Sequence, residues 1–314
     1  MGMSVDVAGT GFTVLDRVYS DSEPTFQALG GSCGNVLISL AMLDRTVAPV
    51  LSLGEDSVGD DLVSEFAEAG ALTTWIFQHA GRRSPVLAQQ VDSQSGQHSF
   101  SFVCPETDAQ YPLYQPIERD EALRAEPAFE GCQVFYTDRV SDGILDAMER
   151  AAASGAVVYF EPSAVEDAAL FKRALSLCAI LKISADRLRT PGWTEFLRAD
   201  AISIVTRGAE GLDVWQGSDR PVHCVPTPAP VVRDTCGSGD MVSVGLIDYI
   251  LSRPFGFSPR LDDLLEGVVA GQRLAAANCA FSGARGLFKL HGGAVARRVL
   301  ADPGFQVDLQ LDLF

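Results

Sequence analysis

Short apolar runs alternate along this chain with longer amphipathic stretches, and that alternation leaves few architectures open. Residues 5–9, 48–53, 134–137, 156–160, 178–183 and 203–206 read as strands. Residues 35–43, 60–69, 144–153, 241–251 and 264–281 read as helices. Strands separated by helices pair in parallel through crossovers, and the helices cover both faces of the sheet. The pattern predicts an α/β fold with a mostly parallel central sheet.

One segment departs from that rhythm. Residues 85–92 and 98–103 read as two strands joined by the turn-rich Ser93-Gln94-Ser95-Gly96. Phe100 and Phe102 alternate with Ser99 and Ser101, as in a hairpin. It is either a small β lid standing off the main sheet or an ordinary edge hairpin. The proline-rich residues 105–116 and 221–230 read as connections. With 314 residues, 47% hydrophobic and 21% charged, the chain can bury a large core without staples, and 1–314 reads as one domain.

The net charge of −17 argues against nucleic-acid polymers and anionic membranes, which need a basic surface. A small anion at one local site stays open. Only Lys172, Lys182 and Lys289 are lysines, so phosphate binding must use arginine, backbone amides or a metal. The seven cysteines are scattered without a CxxC pair, which fits reduced thiols. The four histidines lack metal-binding spacing. No leader-like start and no bilayer-length apolar run are present, so a cytoplasmic location is expected.

The chemistry concentrates in Asp234-Thr235-Cys236-Gly237-Ser238-Gly239-Asp240, directly before the apolar helix 241–251. Glycines at a helix start let backbone amides cradle an anion at the positive end of the helix dipole. Asp240, beside such a cradle, is placed to take a proton from a hydroxyl attacking a phosphate. The same residues also suit plain helix capping by Ser238 or Asp240. No Walker A loop occurs, and Gly9-Thr10-Gly11 lacks the third glycine of a dinucleotide fingerprint because position 14 is Val14. Near the N-terminus, Gly30-Gly31-Ser32-Cys33-Gly34-Asn35 precedes a helix, and Gly54-Glu55-Asp56-Ser57-Val58-Gly59 follows it. Asp16 and Asn35 suit substrate hydroxyls, or turns and caps.

The combination resembles the ribokinase-like, PfkB-type family of carbohydrate and nucleoside kinases. Gly30–Asn35 with Gly54–Gly59 resembles its N-terminal signature, and Asp234–Asp240 its C-terminal one. The resemblance implies a three-layer fold, a mostly parallel sheet flanked by helices, with a small β lid from about 12–20 and 85–104. It implies Asp240 as catalytic base, with Gly237, Ser238 and Gly239 as the anion hole. Asp16, Gly31, Asn35 and Asp138 would contact substrate. Ser184, Thr206, Gly208, Gly211, Asn278 and Gly283 would line the nucleotide. Asp234 and the Cys236 carbonyl fall where many members hold a monovalent cation such as K⁺. ATP and Mg²⁺ follow as cofactors, and the exposed lid invites a homodimer.

Two departures stand out. Where the family has N-x-x-E, this chain has Ser184-Ala185-Asp186-Arg187, which leaves Asp186 or Glu161 to serve Mg²⁺. Asp44-Arg45 replaces a small glycine after the first helix. Arg207, Arg233 and Arg285 are candidates for neutralising phosphate, or plain exposed charges. The expectation is an ATP-dependent phosphotransferase acting on an alcohol of a small sugar. The alternatives are a nucleoside kinase of the same fold, a non-catalytic sugar-binding regulator and a dinucleotide-dependent dehydrogenase.

Overall fold

The computed structural model describes residues 5–20, 23–91, 98–187 and 192–309. Its strands in chain order are β1 Val7–Thr10, β2 Val14–Ser20, β3 Glu23–Gly30, β4 Val47–Pro49, β5 Leu51–Gly54, β6 Ile76–His79, β7 Val86–Val91, β8 His98–Ser101, β9 Val134–Thr137, β10 Val157–Phe160, β11 Ile180–Ser184, β12 Ile202–Thr206, β13 Leu212–Gln216 and β14 Val222–Cys224. Its helices are α1 Ser32–Met42, α2 Ser57–Glu68, α3 Arg119–Arg124, α4 Glu126–Glu130, α5 Asp142–Ala153, α6 Ala168–Leu177, α7 Ser238–Leu251, α8 Leu261–Asn278 and α9 Gly286–Ala301.

Eight strands form the central sheet in the order β14-β13-β12-β11-β10-β9-β1-β4. All neighbours are parallel except β13, which runs antiparallel to β12 and β14. Burial on both faces explains why the parallel strands are mostly apolar, with Lys182 of β11 and Ser203 of β12 as buried exceptions. Their period of two divides two cores. Tyr136, Tyr159 and Ile180 face a core shared with α1, α7, α8 and α9. Phe135, Val158, Phe160 and Leu181 face a second core with α4, α5 and α6. The result is the expected helix–sheet–helix sandwich.

Two sequence expectations need correction. The run 48–53 is not one strand. β4 ends at Pro49, the Val50 amide makes a last bond to the Gly9 carbonyl, and β5 pairs with β6 in a separate sheet. Residues 221–230 are not wholly a connection, because β14 adds a short edge strand to β13.

A second sheet has the order β3-β2-β7-β8. β7 and β8 are antiparallel with Gln89 opposite Phe100, as the alternation predicts. Their turn, Ser93 to Gly96, lies outside the described residues. β2 runs parallel to β7 and antiparallel to β3. The first five residues of β3 are all exposed, so it carries no alternation for a sequence reading to find.

This topology positions the site. Open parallel sheets bind ligands beyond the carboxyl ends of their strands, where the strand order reverses. Here the chain leaves β1 for β4 on one side and later returns to β9 on the other. Asp138, Glu161, Ser184 and Thr206 lie at the carboxyl ends of β9, β10, β11 and β12. Among the described residues no helix is long and apolar enough to cross a membrane.

Candidate active site

Helix α7 begins at Ser238 with Gly237 as its N-cap, at φ 70°. A Cβ there would lie 2.6 Å from the Cα and carbonyl oxygen of Ala284, so both angle and space call for glycine. No side chain caps the helix, which removes capping as the purpose of Ser238 and Asp240. The Ser238 amide donates to the Thr235 carbonyl at 3.2 Å. By helix geometry the amides of Gly239 and Asp240 have no partner inside the helix. They stand at its positive end, a ready site for an anion.

Asp240 occupies the first turn of α7, and its Oδ2 accepts a hydrogen bond of 2.8 Å from Asn35 Nδ2. Asn35 lies in the first turn of α1, which starts after Gly31. The tertiary fold thus joins the two signature segments across 205 residues. Burial pushes the Asp240 carboxyl up to about 7, and the charge of Glu161 adds to this. The Asn35 hydrogen bond, Lys182 and Arg187 act in the opposite direction. A carboxyl poised near neutral pH suits general-base work.

Asp16 Oδ1 and Asn35 Oδ1 are buried acceptors without a partner in the protein, and Asn35 is the residue that bonds Asp240. Buried polar groups are ordinarily hydrogen-bonded. These two acceptors fit a ligand carrying hydroxyl groups. Asp16, on β2, is raised to about 7 by burial, with Arg285 and Lys289 pulling it down and Glu65 raising it. Gly30 makes room for it, since a Cβ there would sit 1.8 Å from Asp16 Oδ2. Asp138 is 1% exposed. Its Oδ1 accepts from the Phe12 amide at 2.8 Å and its Oδ2 from Arg139 at 3.1 Å. Burial raises its pKa, with Arg139 opposing. Phe102 packs edge-on against Phe12, with centroids 6.3 Å apart, whereas Phe100 is half exposed.

The residues expected on the nucleotide side lie on strand ends, turns and the loop after α8. Ser184 and Thr206 end neighbouring strands and pair in register, and Gly208 and Gly211 flank the following turn. Asn278 is fully buried, donating to the Ala284 carbonyl at 3.1 Å and accepting from the Leu287 amide. It shapes the loop that carries Gly283. Asp234 anchors both loops, accepting from the amides of Cys236 at 2.8 Å and Gly283 at 2.6 Å. His98 Nε2 approaches Asp234 Oδ1 at 2.9 Å, tying the four-stranded sheet to this loop. Arg285 is not the exposed cation expected: it is 4% exposed and donates to the Leu29 carbonyl and to Glu65. Arg207 is paired with Asp213 at 2.9 Å.

Sequence reading missed what lies beneath the helix start. Lys182 is 2% exposed, pairs with Glu161 Oε1 and donates to the Gly239 carbonyl at 2.9 Å. Glu161 Oε2 accepts from Ser243 and, at 3.1 Å, from Tyr136. Tyr159 meets Ser243 at 3.1 Å. Glu161 is thus held by the Lys182 ammonium, Ser243 and Tyr136. The available signal was the period: Lys182 shares its sheet face with Ile180, the face that packs on α7.

Comparison with known proteins decides the family. Residues 22–287 match the pfkB family carbohydrate kinase model. The chain belongs to this family. Among curated relatives, the bifunctional protein HldE of Mesorhizobium japonicum is 25% identical over 296 residues, 88% of this chain and 57% of the relative. The chain thus spans little more than half the length of that protein. Ribokinase from Giardia lamblia superposes with a TM-score of 0.75 at 13% identity, covering 96% of this chain and 98% of that one. Fructokinase from Xylella fastidiosa, solved with bound ATP, gives 0.71 at 20% identity, covering 89% and 93%. This PfkB-family chain accordingly has the ribokinase-like fold.

Proposed function

We propose that this PfkB-family protein transfers the γ-phosphate of ATP to an alcohol group of a small sugar. The observation that carries the reading is Asp240, buried at an uncapped helix start and hydrogen-bonded to Asn35. The acceptor hydroxyl gives its proton to the Asp240 carboxylate as its oxygen attacks the γ-phosphorus. The bond to the β–γ bridging oxygen breaks, and ADP leaves. The amides of Gly239 and Asp240, with the Gly237 turn before them, stabilise the charge on the transferring phosphoryl group. Asp16, Asn35 and Gly31 hold the sugar, with Asp138 shaping that end of the pocket through the Phe12 amide. Ser184, Thr206, Gly208, Gly211 and Gly283 border the nucleotide, with Asn278 as the support of its loop.

Mg²⁺ fits the exposed carboxylate of Asp186, on the turn after β11, because this ion keeps waters and phosphate oxygens and needs few protein ligands. When bound, it neutralises phosphate charge. A monovalent cation fits less well. The Asp234 carboxylate already serves two backbone amides and His98.

The four-stranded sheet acts in this reading as a lid over the sugar, excluding water that would hydrolyse ATP. Phe26, 48% exposed, and Phe100, 51% exposed, on that sheet support pairing of two copies there in a cytoplasmic homodimer. Sedimentation showing only monomer removes the pairing. A panel of sugars and nucleosides assayed for ATP-dependent phosphorylation tests the main reading. Transfer to a sugar alcohol is expected. Sugar binding without transfer would refute it in favour of a regulator.

A further inference from the structure

We infer that Lys182 is a positioning residue that aims and polarises the Asp240 amide toward the transferring phosphate. This rests on the phosphotransfer reading above and adds a residue to it. The peptide unit is planar and trans. The Gly239 carbonyl and the Asp240 N–H belong to one trans peptide, so they point in opposite directions. Lys182 Nζ donates to that carbonyl from below, at 2.9 Å. Holding the oxygen down holds the N–H up, out of the helix start. An ammonium on the carbonyl also makes the attached N–H a stronger donor, because hydrogen bonds in a chain polarise one another.

The ammonium is fixed in turn. It is fully buried on the α7 face of β11 and pairs with Glu161, which Ser243 of α7 and Tyr136 of β9 also hold. A buried ion pair contributes little net stability. Its place beneath the one helix start that carries Asp240 fits a role in the reaction instead. The charged and titratable groups that bear on Asp240 are Glu161 from the end of β10, Lys182 from β11 and Arg187 from the turn after it. Cys33 of α1, Tyr136 of β9 and Cys236 of the preceding loop feel its charge in return. Of these, Lys182 and Glu161 oppose each other. Losing the ammonium strengthens the hold of Asp240 on its proton, and losing the carboxylate weakens it.

The test uses the full chain, ATP–Mg²⁺ and the acceptor alcohol found for the wild type. Lys182→Met keeps the stem and removes the charge. It is expected to lower kcat by about 10²-fold while the KM for the alcohol changes little. The acidic limb of its pH–kcat profile should move up by about one pH unit. Glu161→Gln should move that limb down. A merely structural role would lower stability and raise KM along with the fall in kcat, rather than lower kcat alone in a folded variant. Thermal unfolding shows whether each variant is folded, and if Lys182→Met does not fold, the direction of the Glu161→Gln shift decides. A folded Lys182→Met with wild-type kcat and an unmoved limb overturns the proposal, as does a limb in Glu161→Gln that stays or moves up. A wild type that phosphorylates no alcohol defeats the functional reading itself, and this proposal with it.

Discussion

Asp240 carries two consequences that pull against each other. As a base it must be unprotonated, and its carboxyl is raised to about 7, so kcat should climb as pH passes through that value. Asp240→Asn should cut kcat by about 10²- to 10⁴-fold, measured with saturating acceptor. The same shift sets the sign for stability. A carboxyl raised by burial favours the folded state fully below its ordinary value of 3.8, and that contribution is lost as pH rises through about 7. Asp240→Asn should therefore melt higher than the wild type at pH 8, with the difference closing toward pH 4. Asp16→Asn should show the same trend, because burial is also the largest cause of its shift. Its kinetic cost should fall mainly on the KM of the alcohol. Equal melting of wild type and both variants at pH 8 would contradict this account.

Turns at helix ends decide how the elements meet. Gly237 combines φ 70° with Ala284 at 2.6 Å from any added Cβ. Gly237→Ala should destabilise the protein by more than about 1 kcal/mol and weaken binding of an ATP analogue, read by calorimetry. Asp44, after α1, takes φ 59°, in the left-handed region that favours glycine. Asp44→Gly relieves that angle and gives up only an exposed pair with Arg297. A gain of up to about 1 kcal/mol is expected from thermal unfolding. At this scale, legibility in the sequence followed period. β9 matches its apolar run residue for residue, because a doubly buried strand is apolar throughout. β3 and β14 carry mostly exposed residues and left no such run. Helix α1 starts at Ser32 rather than Asn35, because the Phe12 carbonyl receives the amides of Cys33 and Gly34. No pattern within the helix announces that contact.

The whole molecule carries a net charge of −17 yet is read as a nucleotide enzyme. In the proposed reading the phosphates meet helix-start amides, and the buried Lys182 donates to the Gly239 carbonyl of that same turn. A nonhydrolysable ATP analogue with Mg²⁺ should raise the melting temperature, by a stabilisation of about 2.7 kcal/mol at one hundred times its Kd. A melting curve indifferent to the analogue would count against the nucleotide site.

Period and short-range motif alone determined the α/β class, the parallel core strands, the hairpin of β7 and β8 and the helix start at Asp240. Each is a property of neighbouring residues, and neighbours are what a sequence displays. The tertiary structure decided which distant groups meet. Asn35 reaches Asp240 across 205 residues, and Lys182 reaches Gly239 across 57. Glu161 and Asp234 were open to a cation on the sequence, and the fold commits them to Lys182 and to backbone amides with His98. Buried charges and amides take whatever partner the packing brings within hydrogen-bond reach, and no local pattern records that choice.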